Sequence, residues 1–160
     1  MTALEFNQDL GNVLALLLEY PGALRVLVGE TQAPGPDEFS SLGGKKKTIT
    51  RKLMRRHGGN TDASIIAAVI SRTIESAGGW PHIVKMSRQW IRDHRDPWKI
   101  LTEYFVFVKP ARRGGINGNP FDRLAERHGI TADDLIRLVN SFPGELADAI
   151  IRGLAEDREK

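Results

Sequence analysis

The sequence contains no cysteine among its 160 residues. This excludes disulfide bonds, a catalytic thiolate and zinc sites with cysteine ligands, and it is typical of proteins in a reducing compartment. Long apolar runs are also missing, because the longest, VLALLL, is far too short to span a bilayer. The first residues, MTALEFNQDLGNV, lack the basic start and the small-residue cleavage site of a signal peptide. We therefore expect a cytoplasmic protein that does not enter a membrane.

Acidic residues are missing from GGKKKTITRKLMRRHGG, residues 43–59, which holds seven lysines and arginines. Residues 1–38 carry six acids and one base, and residues 121–160 carry nine acids and six bases. Residues 80–113 are basic again, with eight bases and three acids. The net charge of +3 therefore hides a basic middle between acidic ends. This polarity indicates a surface that meets a polyanion.

Apolar residues recur at helical spacing through most of the chain and predict a mainly α-helical protein. The length and the 41% of hydrophobic residues suit one multi-helix domain over residues 1–160, with a core that needs no metal. LTEYFVFV, residues 101–108, is rich in aromatic and β-branched residues, which weakly favour a strand. The region near 100–108 is therefore a candidate for one short strand or hairpin.

Two further features organise the predicted domain. GETQAPGPDEFSSLGG, residues 29–44, is rich in glycine, proline and serine and predicts a flexible loop. Residues 121–160 form a C-terminal helical subregion, in which we expect three short helices at about 121–128, 131–141 and 143–157. Pro143 starts the last of them, because proline favours the first turn of a helix.

On a helical wheel, the first basic stretch has an apolar half and a basic half. Ile49, Leu53 and Met54 fall on one half, where they could dock the helix on a core, and the bases fall on the other. Regularly spaced lysines and arginines suit a phosphate backbone, because each contact releases condensed counterions. The predicted contact residues here are Lys45, Lys46, Lys47, Arg51, Lys52, Arg55 and Arg56.

A second basic stripe follows at steps of three and four residues, which places it on one helix face, although Pro97 is expected to end that helix early. Its members are Lys85, Arg88, Arg92, Arg95 and Lys99. Arg112 and Arg113 lie on a predicted loop and could enter a narrow minor groove or follow a single strand. Three tryptophans, Tyr104, Phe105 and Phe107 lie within or beside the stripe, which suggests base stacking, although Trp90 falls on the apolar side.

The segment FDRLAERHGITADDLIRLV carries the spacing of a helix-turn-helix, in which a small residue, a glycine and three aliphatic residues recur at set positions. These residues are Ala125, Gly129, Ile130, Leu135 and Leu138. The stretch 121–142 resembles the generic helix-turn-helix of bacterial and phage DNA-binding proteins. The resemblance implies that the second helix reads bases in the major groove.

The second helix of this motif departs from the pattern at its start. Arg137 and Asn140 are its only obvious base-reading side chains. Asp133 and Asp134 precede them and would face phosphates at a Coulombic cost. The motif therefore serves either as a DNA reader or as a helical hairpin of the core, the second reading being favoured.

Catalytic signatures find little support in the sequence. HRD at 94–96 has no asparagine five residues past Asp96, and a glycine-rich phosphate loop is missing. The four histidines form no His-x-x-x-His pair, so we expect no metal and no cofactor. Asp122 and Glu126, one helical turn apart, leave a metal-dependent nuclease as the enzymatic alternative.

These patterns together predict a non-enzymatic nucleic-acid-binding protein that contacts the phosphate backbone of DNA or RNA through its basic helices. A DNA-binding accessory and a subunit of a nucleoprotein complex both fit. The alternative is a helical protein–protein adaptor whose basic faces meet an acidic partner or the acidic end of a neighbouring copy in a homo-oligomer.

Overall fold

A computed structural model describes residues 2–20, 22–35, 38, 47–109 and 119–159. These residues form eight α-helices and contain no strand, which confirms the mainly α-helical fold. The helices are α1 (Ala3–Leu17), α2 (Ala23–Leu27), α3 (Lys47–Met54), α4 (Ala63–Ser76), α5 (Gly79–Asp93), α6 (Arg95–Glu103), α7 (Pro120–Arg127) and α8 (Ala132–Glu159).

The helices group into two compact units. Unit 1 lies within residues 1–90 and 143–160, and unit 2 comprises residues 91–142. Helices α5 and α8 each contribute residues to both units. The predicted single-domain organisation stays a prediction. Half of the predicted flexible loop at 29–44 lies outside the described residues, and the described half consists of 29–35 and 38.

Unit 1 is built around α1, which packs against α3 and α4. Its start is fixed by a reciprocal cap, in which the backbone N–H of Glu5 donates to Thr2 Oγ1 and the backbone N–H of Thr2 donates to Glu5 Oε2. The buried face of α1 consists largely of leucine and valine at helical spacing. Gly11 lies next to α8, where a Cβ at Gly11 would make an ordinary van der Waals contact with Gly144 Cα at 3.7 Å.

Tyr20, which follows α1, interacts with Glu38 in the segment that leads to the basic stretch. The hydroxyl of Tyr20 forms a hydrogen bond to the Glu38 carboxylate. This hydrogen bond, and then the negative charge of Glu38, raise the pKa of Tyr20 above its ordinary value of 10.0.

Unit 2 is built around a π-helical turn, Tyr104–Val108, that continues α6. The N–H of Lys109 donates to the carbonyl of Tyr104 at 2.8 Å, which closes the wider turn. Tyr104 and Val108 are buried together with Leu124, Ala125 and Leu135 from α7 and α8.

The strand suggested near 100–108 is therefore wrong. Aromatic and β-branched residues fit any half-buried surface, and here Tyr104 meets the ring of Phe121 edge-on, with centroids 6.0 Å apart. Phe105 lies edge-on to Tyr104 at 5.0 Å. Packing of these rings on the core of unit 2 overrides the weak local preference for a strand.

The C-terminal subregion contains two helices instead of the three expected. Helix α8 runs without interruption through Pro143, which does not begin a new helix. The missing N–H of Pro143 removes one hydrogen bond to Val139. Phe142, Leu146, Ala147 and Ile150 on either side of it are buried, and burial of these apolar side chains offsets the lost bond.

The turn between α7 and α8 follows a Schellman pattern. The N–H of Gly129 donates to the Glu126 carbonyl, and the N–H of Ile130 to the Ala125 carbonyl. Gly129 takes a φ of +67°, the left-handed region that glycine adopts without strain. Thr131 then caps α8, because its Oγ1 accepts from the N–H of Asp134 at 3.0 Å.

Alanine at two glycines should act with opposite sign. A Cβ meets nothing within 4 Å at either Gly129 or Gly144, so only the backbone conformation distinguishes them. We expect Gly129→Ala to lower the free energy of unfolding by about 1 kcal/mol, because it forces alanine into the left-handed region. We expect Gly144→Ala, in the interior of α8, to raise it by up to about 1 kcal/mol. Urea unfolding followed by circular dichroism measures both, and equal midpoints for the two variants would contradict the turn geometry.

Candidate nucleic-acid interface

Helix α3 is docked by the side of the helix that carries its apolar residues. Leu53 and Met54 are fully buried, and Thr50 beside them is buried as well. The contacts of α3 are with α1 and α4 within unit 1. The apolar half of the helical wheel is therefore the buried side of α3, and the basic half faces solvent.

A polar contact fastens the end of this basic segment. Residues Arg55–His57 continue α3 as a 3₁₀ turn. Asp9 on α1 is only 1% exposed, and its Oδ2 lies 2.9 Å from Nε2 of His57. Its Oδ1 accepts from Nη1 of Arg56 at 3.5 Å. A buried carboxylate is tolerated only when charges and hydrogen bonds compensate it, and these two residues supply both.

Arg56 is held by further acceptors on α1. Its Nη1 donates to the backbone carbonyl of Glu5 at 2.9 Å, and its Nη2 donates to Gln8 Oε1. Arg56 was predicted to contact phosphate, and the structure instead places its guanidinium against α1. Its helical position gave no sign of this, because Asp9 lies 47 residues away in the sequence.

Three cations remain on the solvent side of this segment, namely Arg51, Lys52 and Arg55. We call them the α3 basic face. All three side chains are exposed, and none contacts a carboxylate in the described part of the chain. On a helix of 100° per residue they span about 100° of arc, with Arg51 and Arg55 one turn apart. One side of this segment thus packs on the rest of unit 1, and the other side exposes three cations that pair with no carboxylate among the described residues.

Several predicted contact residues fall outside the described part of the chain. They are Lys45, Lys46, Arg112 and Arg113. Lys47 begins α3, but its side chain is likewise outside what the structure describes. These five positions stay predictions.

The second basic stripe is interrupted at His94, where α5 has ended and α6 has not begun. The break comes three residues before Pro97, which was expected to stop the helix. Pro97 lies in the first turn of α6, where a missing N–H removes no helical hydrogen bond. Lys99 consequently lies inside α6 instead of beyond a helix end.

Two members of this stripe are engaged within unit 1. Arg88 donates from Nε to the carbonyl of Val28 at 2.8 Å and so caps the end of α2. Lys85 lies 4.0 Å from Asp157 on α8, which also faces His82. The Lys85 pair is exposed and contributes little to stability, so Lys85 keeps most of its availability to a ligand.

The remaining members of the stripe belong to unit 2. Arg92 lies at the end of α5, and Arg95 and Lys99 lie one turn apart on α6. Their side chains are exposed and meet no carboxylate partner among the described residues. Asp93 and Asp96 are exposed nearby, so this stripe is less purely cationic than the α3 basic face.

The two helices that resemble a helix-turn-helix pack as a hairpin in unit 2. Leu124, Ala125 and Leu135 are buried, and Ile130 packs against their cluster. The exposed side at the start of α8 is acidic. Asp133 and Asp134 are both exposed there, and Arg137 lies 4.0 Å from Asp134. The reading of bases by α8 therefore stays a prediction, with repulsion between these acids and phosphate against it.

Titratable groups elsewhere in unit 2 pair with one another. Glu103 on α6 lies 3.4 Å from Arg127 and 3.3 Å from His128 at the end of α7. Asp122 and Glu126, the residues of the nuclease alternative, are exposed on α7. No cluster of three or more potential metal ligands occurs among the described histidines and acids. No described helix is long and apolar enough to cross a membrane.

Most aromatic residues suggested for base stacking serve the packing of the core. Trp90 and Tyr104 are buried, and Trp98 is half-buried with its ring 6.1 Å from that of Phe142. Phe105 is half-buried beneath Nζ of Lys109. Phe107 differs, because 69% of it is exposed.

Comparison of the chain with protein-family models, curated proteins and solved structures found no match.

Removal of the Asp9 carboxylate should weaken the attachment of the basic segment to α1. Asp9→Ala leaves Arg56 and His57 without their shared acceptor, and hydrogen bonds to charged groups of this kind contribute about 2 kcal/mol. We expect a loss of about that size in the free energy of unfolding, measured by urea denaturation.

Asp148→Ala is the matched control, because Asp148 forms an exposed pair with Arg152 at 3.1 Å on α8. We expect it to change the free energy of unfolding by less than about 0.5 kcal/mol. Similar losses in the two variants would show that burial of Asp9 carries no special stabilisation.

Proposed function

We propose that the chain is a non-enzymatic protein of the cytoplasm that binds nucleic acid through its phosphate backbone, with the α3 basic face as the primary contact. The observation that carries the proposal is the set of three exposed, uncompensated cations on a helix whose opposite side is buried. The available cations of the second stripe, Arg92, Arg95 and Lys99, supply further contacts.

Like charges that are held close together on one surface cost free energy. Arg51, Lys52 and Arg55 repel one another, and no acid in the described part of the chain relieves that repulsion. A polyanion relieves it and gains entropy by releasing its condensed counterions. The burial of Leu53 and Met54 keeps the helix ordered before binding, so little conformational entropy is lost on contact.

Arginine at two of the three positions adds a geometric reason. Its planar guanidinium donates two parallel hydrogen bonds to phosphate oxygens, whereas lysine acts as a point charge. Arg51 and Arg55 lie about 6 Å apart along the axis, at 1.5 Å per residue. This spacing allows both to contact one backbone without strain.

The rival is an adaptor whose basic face meets an acidic protein or a second copy of the chain. Exposed acids are present on α8, at Glu145, Asp148, Glu156 and Asp157, so a neighbouring copy could supply the counter-charge. The two functions differ in what competes for the face. A nucleic acid is displaced by another polyanion of any sequence, whereas an adaptor recognises one shaped surface.

Charge reversal on the α3 basic face should abolish a gel shift. The variant carrying Arg51→Glu and Arg55→Glu replaces two attractive charges with two repulsive ones on exposed positions, so the fold should persist. We expect the shift of a generic duplex, a single strand or an RNA to disappear, while circular dichroism stays unchanged.

The control reverses two arginines that already have acidic partners. Arg25 lies 3.4 Å from Glu30, and Arg152 pairs with Asp148, so Arg25→Glu with Arg152→Glu changes the net charge by the same amount. We expect this variant to keep most of its affinity. Equal losses in the two double variants would show that net charge alone matters, and failure of every nucleic acid to bind the native protein at low salt would favour the adaptor.

The affinity should fall steeply as salt is added. Each phosphate contact on a duplex adds about 0.9 to the negative slope of log affinity against log salt concentration. We expect Arg51→Ala with Arg55→Ala to reduce that slope by about two, measured by fluorescence anisotropy from low to moderate salt. An unchanged slope would mean that these arginines do not touch phosphate.

A further inference from the structure

Two neighbouring apolar side chains in unit 2 are left in solvent. Val106 is 50% exposed and Phe107 is 69% exposed, although both belong to the turn whose other residues build the core. A solvent-exposed phenylalanine ring forgoes the burial that most such rings obtain. Val106 and Phe107 together form a small exposed apolar patch, and larger patches of this kind occur at surfaces that contact a ligand or a partner.

The same side of α6 carries cations. Arg95 and Lys99 are four residues apart, a step that keeps side chains on one face of an α-helix, and the exposed Val106 and Phe107 follow in the π-helical turn that continues it. Leu101, Tyr104 and Val108 lie on the opposite side and are buried, which fixes the orientation of that face. We call Arg95, Lys99, Val106 and Phe107 the α6 outer face.

The α6 outer face combines two chemistries in a short length. Arg95 and Lys99 have no carboxylate partner among the described residues, so the face is complementary to negative charge. Phe107 offers an exposed aromatic surface further along the same helical segment, in the turn that follows α6. Phosphates interleaved with flat bases are the ligand that presents both features together.

We propose that the α6 outer face binds single-stranded nucleic acid, with Phe107 stacked on a base and Arg95 and Lys99 at neighbouring phosphates. The inference rests on the proposed function and narrows it, because the α3 basic face by itself distinguishes no strand type. A duplex has its bases already stacked on one another, so only an unpaired base is available to Phe107.

The test compares one single strand, an oligothymidine, with a duplex of the same length by fluorescence anisotropy. We expect Phe107→Ala to weaken single-strand binding about tenfold, the size typical of one base stacked on an aromatic ring, and to leave duplex binding within about twofold. Phe107→Leu keeps an apolar side chain without a ring and should lose nearly as much. Phe107→Tyr keeps the ring and should bind as the native protein does.

Leu4→Ala is the matched control for the loss of an exposed apolar side chain. Leu4 is 68% exposed on α1, almost the same fraction as Phe107. We expect it to leave both affinities unchanged. Lys99→Gln should weaken single-strand binding and reduce its salt slope by about 0.7, the contribution of one phosphate on a single strand.

Five results would overturn the proposal. Single-strand binding by Phe107→Leu at the native level would exclude stacking, and equal losses for duplex and single strand would exclude a strand preference. If Phe107→Ala lost binding only to vesicles containing an anionic phospholipid, the face would be a membrane contact. If the native protein bound no nucleic acid of any kind, the proposed function itself would fail, whereas native-level binding by Phe107→Ala would remove only this inference.

Discussion

The buried carboxylate of Asp9 is the contact on which the presentation of the basic surface depends. It draws Arg56 and His57 onto α1 from a segment that is otherwise strongly cationic. Together with Leu53 and Met54 it fixes which side of α3 faces solvent. A basic peptide without such an anchor would remain disordered and would have to order itself on binding. The anchor thus turns a charged stretch of sequence into a charged surface.

Four arginines of the described chain fall into two groups by their contacts. Arg56 and Arg88 satisfy internal acceptors, a carboxylate in one case and the carbonyl at the end of α2 in the other. Arg51 and Arg55 find no such acceptor in the described residues. Guanidinium groups suit both tasks, because they hold several donors in a fixed plane and remain charged at any physiological pH. The residue type is the same in the two groups, and only the tertiary contacts distinguish them.

Local pattern was sufficient to predict what depends on neighbours along the chain. The helical fold, the buried side of α3 at Leu53 and Met54, and the turn at Gly129 all follow from residue spacing and backbone preference. Local pattern could not predict contacts between residues that are far apart in the sequence, because nothing near Arg56 in the sequence indicates a contact with Asp9. The segment Tyr104–Val108 was misread for the same reason, because packing in unit 2 decided its conformation.

The predictions made for two prolines were also wrong. Pro97 was expected to end a helix and instead lies in the first turn of one, and Pro143 was expected to begin a helix and lies inside one. The sequence shows that proline has no backbone N–H to donate. It does not show where in the folded chain the loss of that hydrogen bond is tolerated. Apolar burial around Phe142 and Leu146 supplies the tolerance at Pro143.

The order in which the two units occur along the chain bears on how the protein folds. Unit 2 is one continuous segment, whereas unit 1 requires residues from both ends of the sequence. Contacts such as those of Gly11 with Gly144, and of His82 with the carbonyl of Ile150, join the early part of unit 1 to its late part. The folding of unit 1 therefore requires contacts between segments that are far apart in the sequence, and such contacts form more slowly than contacts between neighbours along the chain.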